Sequence, residues 1–98
     1  MKIQIHSIRF DADKKLIESI EKKMDKLGKF YRRIVDGEVI LKLNNSTIEN
    51  KIVEIKLNIP GSQLFSKEKS RAFEEGLDLA MESMKRQLKK HKEKQIAH

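Results

Sequence analysis

Lysine and arginine residues are concentrated in two tracts of this 98-residue chain. Residues 14–33 hold eight of them against three acidic residues, and residues 85–98 hold six against one. The intervening residues 34–84 are mildly acidic, with nine acidic residues against six basic ones. A charge distributed this unevenly produces a positive patch, and such a patch attracts polyanions. The sequence therefore predicts a polyanionic partner.

The basic residues of the first tract fall mostly on one side of a predicted helix. At about 100° per residue, five of them lie within roughly 60° of one another and opposite the apolar stripe. These five are Lys15, Lys22, Lys26, Lys29 and Arg33. An adjacent acidic strip offers i,i+4 pairs such as Glu18 with Lys22, so a merely solvated helix face is the alternative interpretation.

The second basic tract occupies the last part of another predicted helix, whose first half is acidic. Its basic residues are Lys85, Arg86, Lys89, Lys90, Lys92 and Lys94. The helix dipole favours bases near a C-terminus, but this effect fades within one turn and does not require six of them. A polyanionic ligand explains the excess better. An anionic membrane surface is a weaker alternative, because the apolar stripe of this helix is needed for the core.

No combination of residues suitable for catalysis or metal binding can be assembled from the sequence. The three histidines have no metal-ligand spacing and are interpreted as solvated, and cysteine is absent. There is no glycine-rich phosphate loop and no Gly-x-Ser-x-Gly motif. The sequence thus predicts a protein that is not an enzyme, needs no cofactor and takes no small-molecule substrate. The absence of cysteine and of any apolar run near the roughly 18 residues of a membrane span suits the cytoplasm.

Hydrophobic periodicity predicts the elements that position the two tracts. Alternating residues predict strands at 2–6, 39–43 and 52–59, with a short fourth strand through 64–65 after a Pro60-Gly61 type II turn. Apolar residues at helical spacing follow the first and the last strand, and they predict two helices. The order is β-α-β-β-β-α, in which the first two strands are parallel and the others form antiparallel hairpins. This predicts an α+β two-layer sandwich, with two helices side by side on one face of a four-stranded mixed sheet.

Several residues are candidates for the ends of the two helices. Asp11 or Asp13 can cap the N-terminus of the first helix, and Gly28 can end it. Ser70 is a candidate N-cap for the second helix, whose apolar stripe is interrupted by the unfavourable Gly76. We expect the C-terminal tail, about residues 93–98, to fray.

The face of the sheet away from the helices is predicted to be solvated and polar. Its residues are Lys2, Gln4, His6, Lys42, Glu54, Lys56 and Asn58. Proteins that read single-stranded RNA on a sheet stack bases on aromatic side chains, and the pattern assigns no aromatic residue to this face. Phe30, beside the first basic tract, can belong to the core or stack on a base. The helices are therefore predicted to contact RNA, through phosphates and RNA shape.

Three segments of the chain resemble the bacterial ribosome hibernation-promoting factors, also called ribosome-associated inhibitors or sigma-54 modulation proteins. The segments are residues 23–34, 39–41 and 86–94. The similarity covers nearly the whole chain in order and spacing. The chain length resembles that of the short members of this family, which act together with a separate ribosome modulation factor.

The resemblance implies a cytoplasmic factor that binds the small ribosomal subunit and its ribosomal RNA. Such a factor occupies the decoding channel for messenger and transfer RNA, and so inhibits translation in stationary or stressed cells. The positions that correspond to the ribosomal-RNA contacts of the family are Lys23, Lys26, Lys29, Arg86 and Lys90.

Combining the charge pattern with the resemblance, we predict one ribosome-binding domain over residues 1–98. Its predicted RNA-binding residues are Lys22, Lys23, Lys26, Lys29, Arg33, Arg86, Lys89, Lys90 and Lys92. Lys23 lies beside the core stripe, where its stem can pack while its ammonium reaches solvent. Two positions depart from the pattern of the family. Position 83 is often basic in relatives but is Ser83 here, and Gly28 stands where relatives usually have a polar residue that favours helix. Two alternatives remain, a double-stranded-RNA-binding module and an adaptor that modulates a transcription factor.

Overall fold

The structure, a computed structural model, describes residues 1–45 and 48–96, with the side chains of 95 and 96 left out. The elements are β1 (Lys2–Ser7), α1 (Lys14–Phe30), β2 (Asp36–Leu43), β3 (Lys51–Ile59), β4 (Ser62–Ser70) and α2 (Phe73–Ile96). The strands form one sheet in the order β1-β2-β3-β4. β1 is parallel to β2, and the other neighbours are antiparallel. The predicted fold is confirmed in element order, strand pairing and layers.

The core lies between the inner face of the sheet and the apolar stripes of both helices. On β3, alternate residues Val53, Ile55, Leu57 and Ile59 are buried, as the period of two predicts. The helices contribute Ile20, Met24, Leu27, Leu77, Met84 and Leu88. Since β1 and β4 run in the same direction, the helices that follow them also run in the same direction. Their C-termini therefore lie at the same end of the molecule.

Helix α1 begins at one of its two candidate caps and passes through its predicted end. The Asp13 carboxylate accepts a hydrogen bond from the Leu16 amide at 2.8 Å, which makes Asp13 the N-cap. Gly28 does not end the helix, which continues to Phe30. The last turn closes because the Tyr31 amide donates to the Leu27 carbonyl at 2.9 Å. Tyr31 is itself 4% exposed, so the end of α1 is anchored in the core.

Helix α2 begins later than predicted and ends later as well. Ser70 is the last residue of β4, and its hydroxyl donates to the Ala72 carbonyl, so it is not the N-cap. A Cβ atom on Gly76 would lie 2.7 Å from the Ser70 hydroxyl oxygen and 3.1 Å from Val53. Gly76 thus lets the first turn of α2 lie close against the sheet. The helix continues through residues 93–96, where fraying was predicted, and residues 97–98 lie outside the described residues.

The outer face of the sheet differs from the prediction at two places. β4 has nine residues and is not short, and its register with β3 puts Phe65 beside Lys56 on this face, 46% exposed. The inward positions of β4 are largely polar, so hydrophobic alternation did not reveal its length. Glu54, predicted to be solvated, is buried because it forms an ion pair with Lys42 at 2.8 Å.

Candidate nucleic-acid interface

A groove runs between α1 and α2 on the side of the molecule opposite the outer sheet face. It encloses a volume of about 280 Å³. The residues that line it are Lys23, Lys26, Asp78, Met81, Glu82 and Lys85. Met81 is 7% exposed and supplies an apolar floor. Because the helices lie side by side and point the same way, the groove brings residues of both basic tracts together.

At its N-terminal end the groove is crossed by ion pairs between the helices. The Lys23 ammonium lies 2.6 Å from an Asp78 carboxylate oxygen and 3.3 Å from a Glu74 carboxylate oxygen. The Ser19 hydroxyl donates to the same Glu74 oxygen at 2.9 Å. We call these four residues the closed end. The Lys23 ammonium is directed across the groove to these carboxylates, whose side chains are more than half exposed.

The pKa of Lys23 reflects two opposed effects at the closed end. Partial burial lowers it, because removal from water disfavours the charged ammonium. Hydrogen bonds and charge attraction from Asp78 and Glu74 together outweigh that effect. The pKa of Lys23 consequently lies above its ordinary value of 10.5.

At its C-terminal end the groove presents cations and an aromatic ring. The Lys92 ammonium lies 5.8 Å from the centre of the Phe30 ring, and Phe30 is 39% exposed. We call Lys26, Phe30, Lys85 and Lys92 the open end. In residues 1–45 and 48–96, none of these three lysines lies within ion-pair distance of a carboxylate. Their charges remain available to an anionic ligand.

Other predicted site residues of the first tract lie on the flank of α1 nearest β1. Lys22 lines a shallow cavity there with Ile3 and Ile5. Lys29 forms an exposed i,i+4 ion pair with Asp25 at 3.4 Å, which contributes little to stability. Arg33 is exposed in the segment between α1 and β2. The basic stripe of α1 is therefore wider than the groove.

The remaining predicted residues of the second tract spread over the solvent side of α2. Arg86 and Lys89 are exposed on the helix, and Lys90 lines a cavity shared with residues of β4. Beside this cavity, Gln87 donates to the backbone carbonyl of Phe65 at 2.9 Å and so covers part of the free edge of β4. All nine predicted residues lie in or beside the helical layer, and none lies on the outer sheet face.

Sequence reasoning missed two contributors to this surface. Lys85 belongs to the second tract but was left out of the predicted site, although it lies one helical turn after Met81 on the floor of the groove. His91, interpreted as solvated, is half-buried and its ring meets that of Tyr31 at 6.2 Å in an edge-on arrangement. This contact joins the C-terminal parts of the two helices. A helical wheel of α2 centred on its apolar stripe would have placed Lys85 on the flank that meets α1, but it puts His91 on the opposite flank, where His91 also lines the cavity shared with β4.

Residues 1–45 and 48–96 contain no group of three or more metal-ligating side chains that could hold an ion. Neither helix, as far as it is described, is long and apolar enough to cross a membrane. The described surface therefore offers charge and one exposed ring as its means of recognition on the helical side.

Comparison with known proteins gives a family match over almost the whole chain. Residues 3–96 match the family model described as Sigma 54 modulation protein / S30EA ribosomal protein. A relative from Azotobacter vinelandii, named ribosome hibernation promoting factor, is 29% identical over 96 residues, which cover 98% of this chain and 87% of the relative. A protein of the same name from Pseudomonas putida is 27% identical over 95 residues, or 97% of this chain and 90% of the relative.

Solved structures with the same fold are also found. A ribosomal subunit interface protein from Coxiella burnetii superposes with a TM-score of 0.85 and 28% identity, covering 94% of this chain and 98% of that one. The N-terminal domain of Protein Y from Thermus thermophilus superposes with a TM-score of 0.80 and 20% identity, covering 93% and 99% of the two chains. The second likeness concerns the fold alone.

Proposed function

Because the chain belongs to the family of sigma 54 modulation and S30EA ribosomal proteins, we propose that it is a ribosome hibernation factor that binds the small ribosomal subunit. Relatives are named ribosome hibernation promoting factor and ribosomal subunit interface protein. The observation that carries the proposal is the groove between α1 and α2, where Lys26 of one basic tract lies beside Lys85 of the other. Two tracts that are far apart in sequence thereby form one cationic surface.

In this proposal the ligand of the surface is ribosomal RNA, held mainly through its phosphates. Lysine and arginine on exposed helix faces neutralise phosphates without reading sequence, and RNA duplexes are recognised chiefly by shape. The residues assigned to this contact are Lys22, Lys26, Lys29, Arg33, Arg86, Lys89, Lys90 and Lys92. Lys23 has a different role here: its ion pairs with Glu74 and Asp78 hold the helices at the spacing that the other cations need.

Inhibition of translation by such a protein is steric and needs no catalysis. A two-layer domain seated by its helices in the decoding channel excludes messenger and transfer RNA while its sheet face points away from the contacted RNA. We propose that residues 1–98 act as this one domain in the cytoplasm, in stationary or stressed cells. A separate ribosome modulation factor is a further proposed partner.

Co-sedimentation with purified small subunits over a series of salt concentrations tests the proposal. With roughly 5–8 phosphate contacts, the logarithm of the binding constant should fall with the logarithm of salt concentration at a slope of about −4 to −7. The variant Lys26→Glu/Arg86→Glu/Lys90→Glu should stay in the supernatant, and the wild type should compete with initiator transfer RNA. The matched control Lys2→Glu/Lys67→Glu/Lys69→Glu makes the same charge change on the outer sheet face and should still pellet.

Three results would contradict the proposal. Equal pelleting of the two triple variants would mean that the helical surface is not the contact. Stronger binding to isolated duplex RNA than to subunits would favour a double-stranded-RNA-binding module. Binding that survives nuclease treatment of the subunits would favour a protein-interaction adaptor. Helical circular dichroism of each variant checks that it is folded.

A further inference from the structure

Phe30 is the exposed aromatic residue of the helical surface. All five aromatic residues lie in the described part of the chain. Tyr31 is buried, and the rings of Phe10 and Phe73 stack on each other at 5.1 Å. Phe65 is exposed, but it lies on the outer face of the sheet. Phe30 is therefore the aromatic residue on the helical side whose ring is exposed and is not stacked on another ring.

The position of Phe30 places its ring among cations. It is the last residue of α1, one helical turn after Lys26 and next to Lys29. From the other helix, the Lys92 ammonium approaches to 5.8 Å from the ring centre, within cation–π range. A single exposed apolar side chain needs no explanation, but an exposed ring with an ammonium in cation–π range, one helical turn after a lysine of the cationic groove, is a more specific arrangement.

Cations interleaved with an aromatic ring suit one kind of ligand especially well, an unpaired nucleotide. The lysines neutralise phosphates on either side, and the ring accepts the face of the base between them. A regular duplex cannot use the ring, because its bases are already stacked on each other. In the free protein the Lys92 ammonium lies near the ring. The Lys92 side chain is long enough for this ammonium to move to a phosphate when a base stacks on the ring.

We propose that the Phe30 ring stacks on an unpaired base of the bound RNA, and that Lys92 neutralises a phosphate next to that base. This inference rests on the proposed function and adds to it a single-stranded, base-stacking contact at the open end. It predicts that the surface recognises a junction between paired and unpaired RNA, because the other cations of the helical layer contact backbone only.

The first test separates stacking from charge by salt dependence. Base–aromatic stacking is worth about 1–3 kcal/mol per base, so Phe30→Leu should weaken binding to small subunits by about 5–150-fold. The salt slope should stay unchanged, because no charge is lost. Phe30→Tyr keeps the ring and should bind like the wild type. Lys92→Gln should instead reduce the magnitude of the slope by about 0.7–0.9, the value for one phosphate.

The second test observes the ring directly. The chain contains no tryptophan, so Phe30→Trp introduces a single fluorophore at the open end. Its emission should be quenched when small subunits are added. Phe65→Trp places the same fluorophore at a comparably exposed position on the outer sheet face, 46% against 39%, and should not be quenched.

The outcomes distinguish the two proposals. Wild-type affinity for Phe30→Leu, or equal quenching of both tryptophan variants, overturns the stacking contact while ribosome binding stands. Absence of subunit binding by the wild-type protein overturns the proposed function and the stacking contact with it. If Phe30→Leu is unfolded by circular dichroism, the pair of tryptophan variants still decides the question.

Discussion

The two ends of the groove between α1 and α2 use the same residue type in opposite ways. At the closed end, Lys23 lies 2.6 Å from Asp78 and joins one helix to the other. At the open end, Lys26 lies only three residues further along α1 and lines the groove with Lys85 and Glu82, yet in the described residues no carboxylate lies within ion-pair distance of it. The comparison indicates that a lysine in a basic tract is available to a ligand only where the neighbouring helix offers no carboxylate to pair with it.

The cause of this difference is the direction of the helices. Helix α2 carries four of its five acidic residues in the first half and all its basic residues in the second. Because α1 runs the same way, its early residues meet acids and its late residues meet bases. The C-terminus of α1 also lies at the open end, where its helix dipole favours cations. In an antiparallel pair, the late cations of α1 would instead meet the acidic first half of α2.

The largest effect is expected from reversing charge at the open end. The variant Lys26→Glu/Lys85→Glu/Lys92→Glu should weaken binding to small subunits by about 10²–10³-fold near 0.1 M salt, from the loss of three phosphate contacts. Co-sedimentation measures the change. The control is the triple variant of the outer sheet face, Lys2→Glu/Lys67→Glu/Lys69→Glu, and an equal loss in that control would mean that net charge alone governs binding.

A smaller effect, on stability, is expected at the first turn of α2, beside the closed end. In Gly76→Ala the new methyl group meets the Ser70 hydroxyl at 2.7 Å and Val53 at 3.1 Å. Overpacking of this kind should lower the free energy of unfolding by about 1–3 kcal/mol, more than the gain in helix propensity. Urea unfolding measures it, and a stability equal to that of the wild type would show that α2 can shift away from the sheet.

A glycine-to-alanine substitution near the open end should instead increase the free energy of unfolding. Gly28 is inside α1, and a Cβ atom there would lie 3.2 Å from the terminal methyl of Met1, which is flexible. Gly28→Ala should therefore raise the free energy of unfolding by about 0.5–1 kcal/mol through helix propensity. Thermal and urea unfolding measure the increase. If the variant were less stable than the wild type, the Met1 side chain would be unable to move aside for the new methyl group.

The smallest effects are expected from single substitutions of Lys23 and Lys26, which should change different properties of the protein. Lys23→Met should lower the free energy of unfolding by about 0.2–1 kcal/mol and leave subunit affinity within about twofold of the wild type. Lys26→Met should leave stability nearly unchanged and lower affinity by about 5–8-fold near 0.1 M salt. Urea unfolding and co-sedimentation of both variants measure the contrast. Equal losses of affinity would remove the distinction between the two ends.

The stability difference between wild type and Lys23→Met should also depend on pH. Because folding raises the pKa of Lys23, its contribution is fully present below the unfolded value of 10.5. The contribution should disappear as the pH rises through the higher pKa of the folded state. Urea unfolding of both proteins from neutral to strongly alkaline pH measures this, and a difference that persists unchanged at high pH would indicate that the lysine stem, not its charge, stabilises the fold.

Local patterns in the chain were sufficient to predict its elements. Alternation at Val53, Ile55 and Leu57 identified β3, and helical spacing, with Asp11 or Asp13 as the candidate cap, identified α1. The errors occurred where a distant residue decided the outcome. Gly28 did not end α1 because Tyr31 is held in the core, and the full length of β4 was hidden because Ser66 and Ser70 occupy inward positions. Ser70 is tolerated there because its buried hydroxyl donates a hydrogen bond to the Ala72 carbonyl.

The sequence by itself determined the order of elements, the core faces and the two basic tracts, because these depend on periodicity and charge within a short stretch of chain. Tertiary structure alone decided which lysines are free. The helical wheel separates Lys23, beside the core stripe, from Lys26, in the basic stripe, but only the packing of α2 puts Asp78 against the first and brings Lys85 into the groove that the second lines. Electrostatic attraction falls with distance, and distances between residues 50 positions apart are set by the fold.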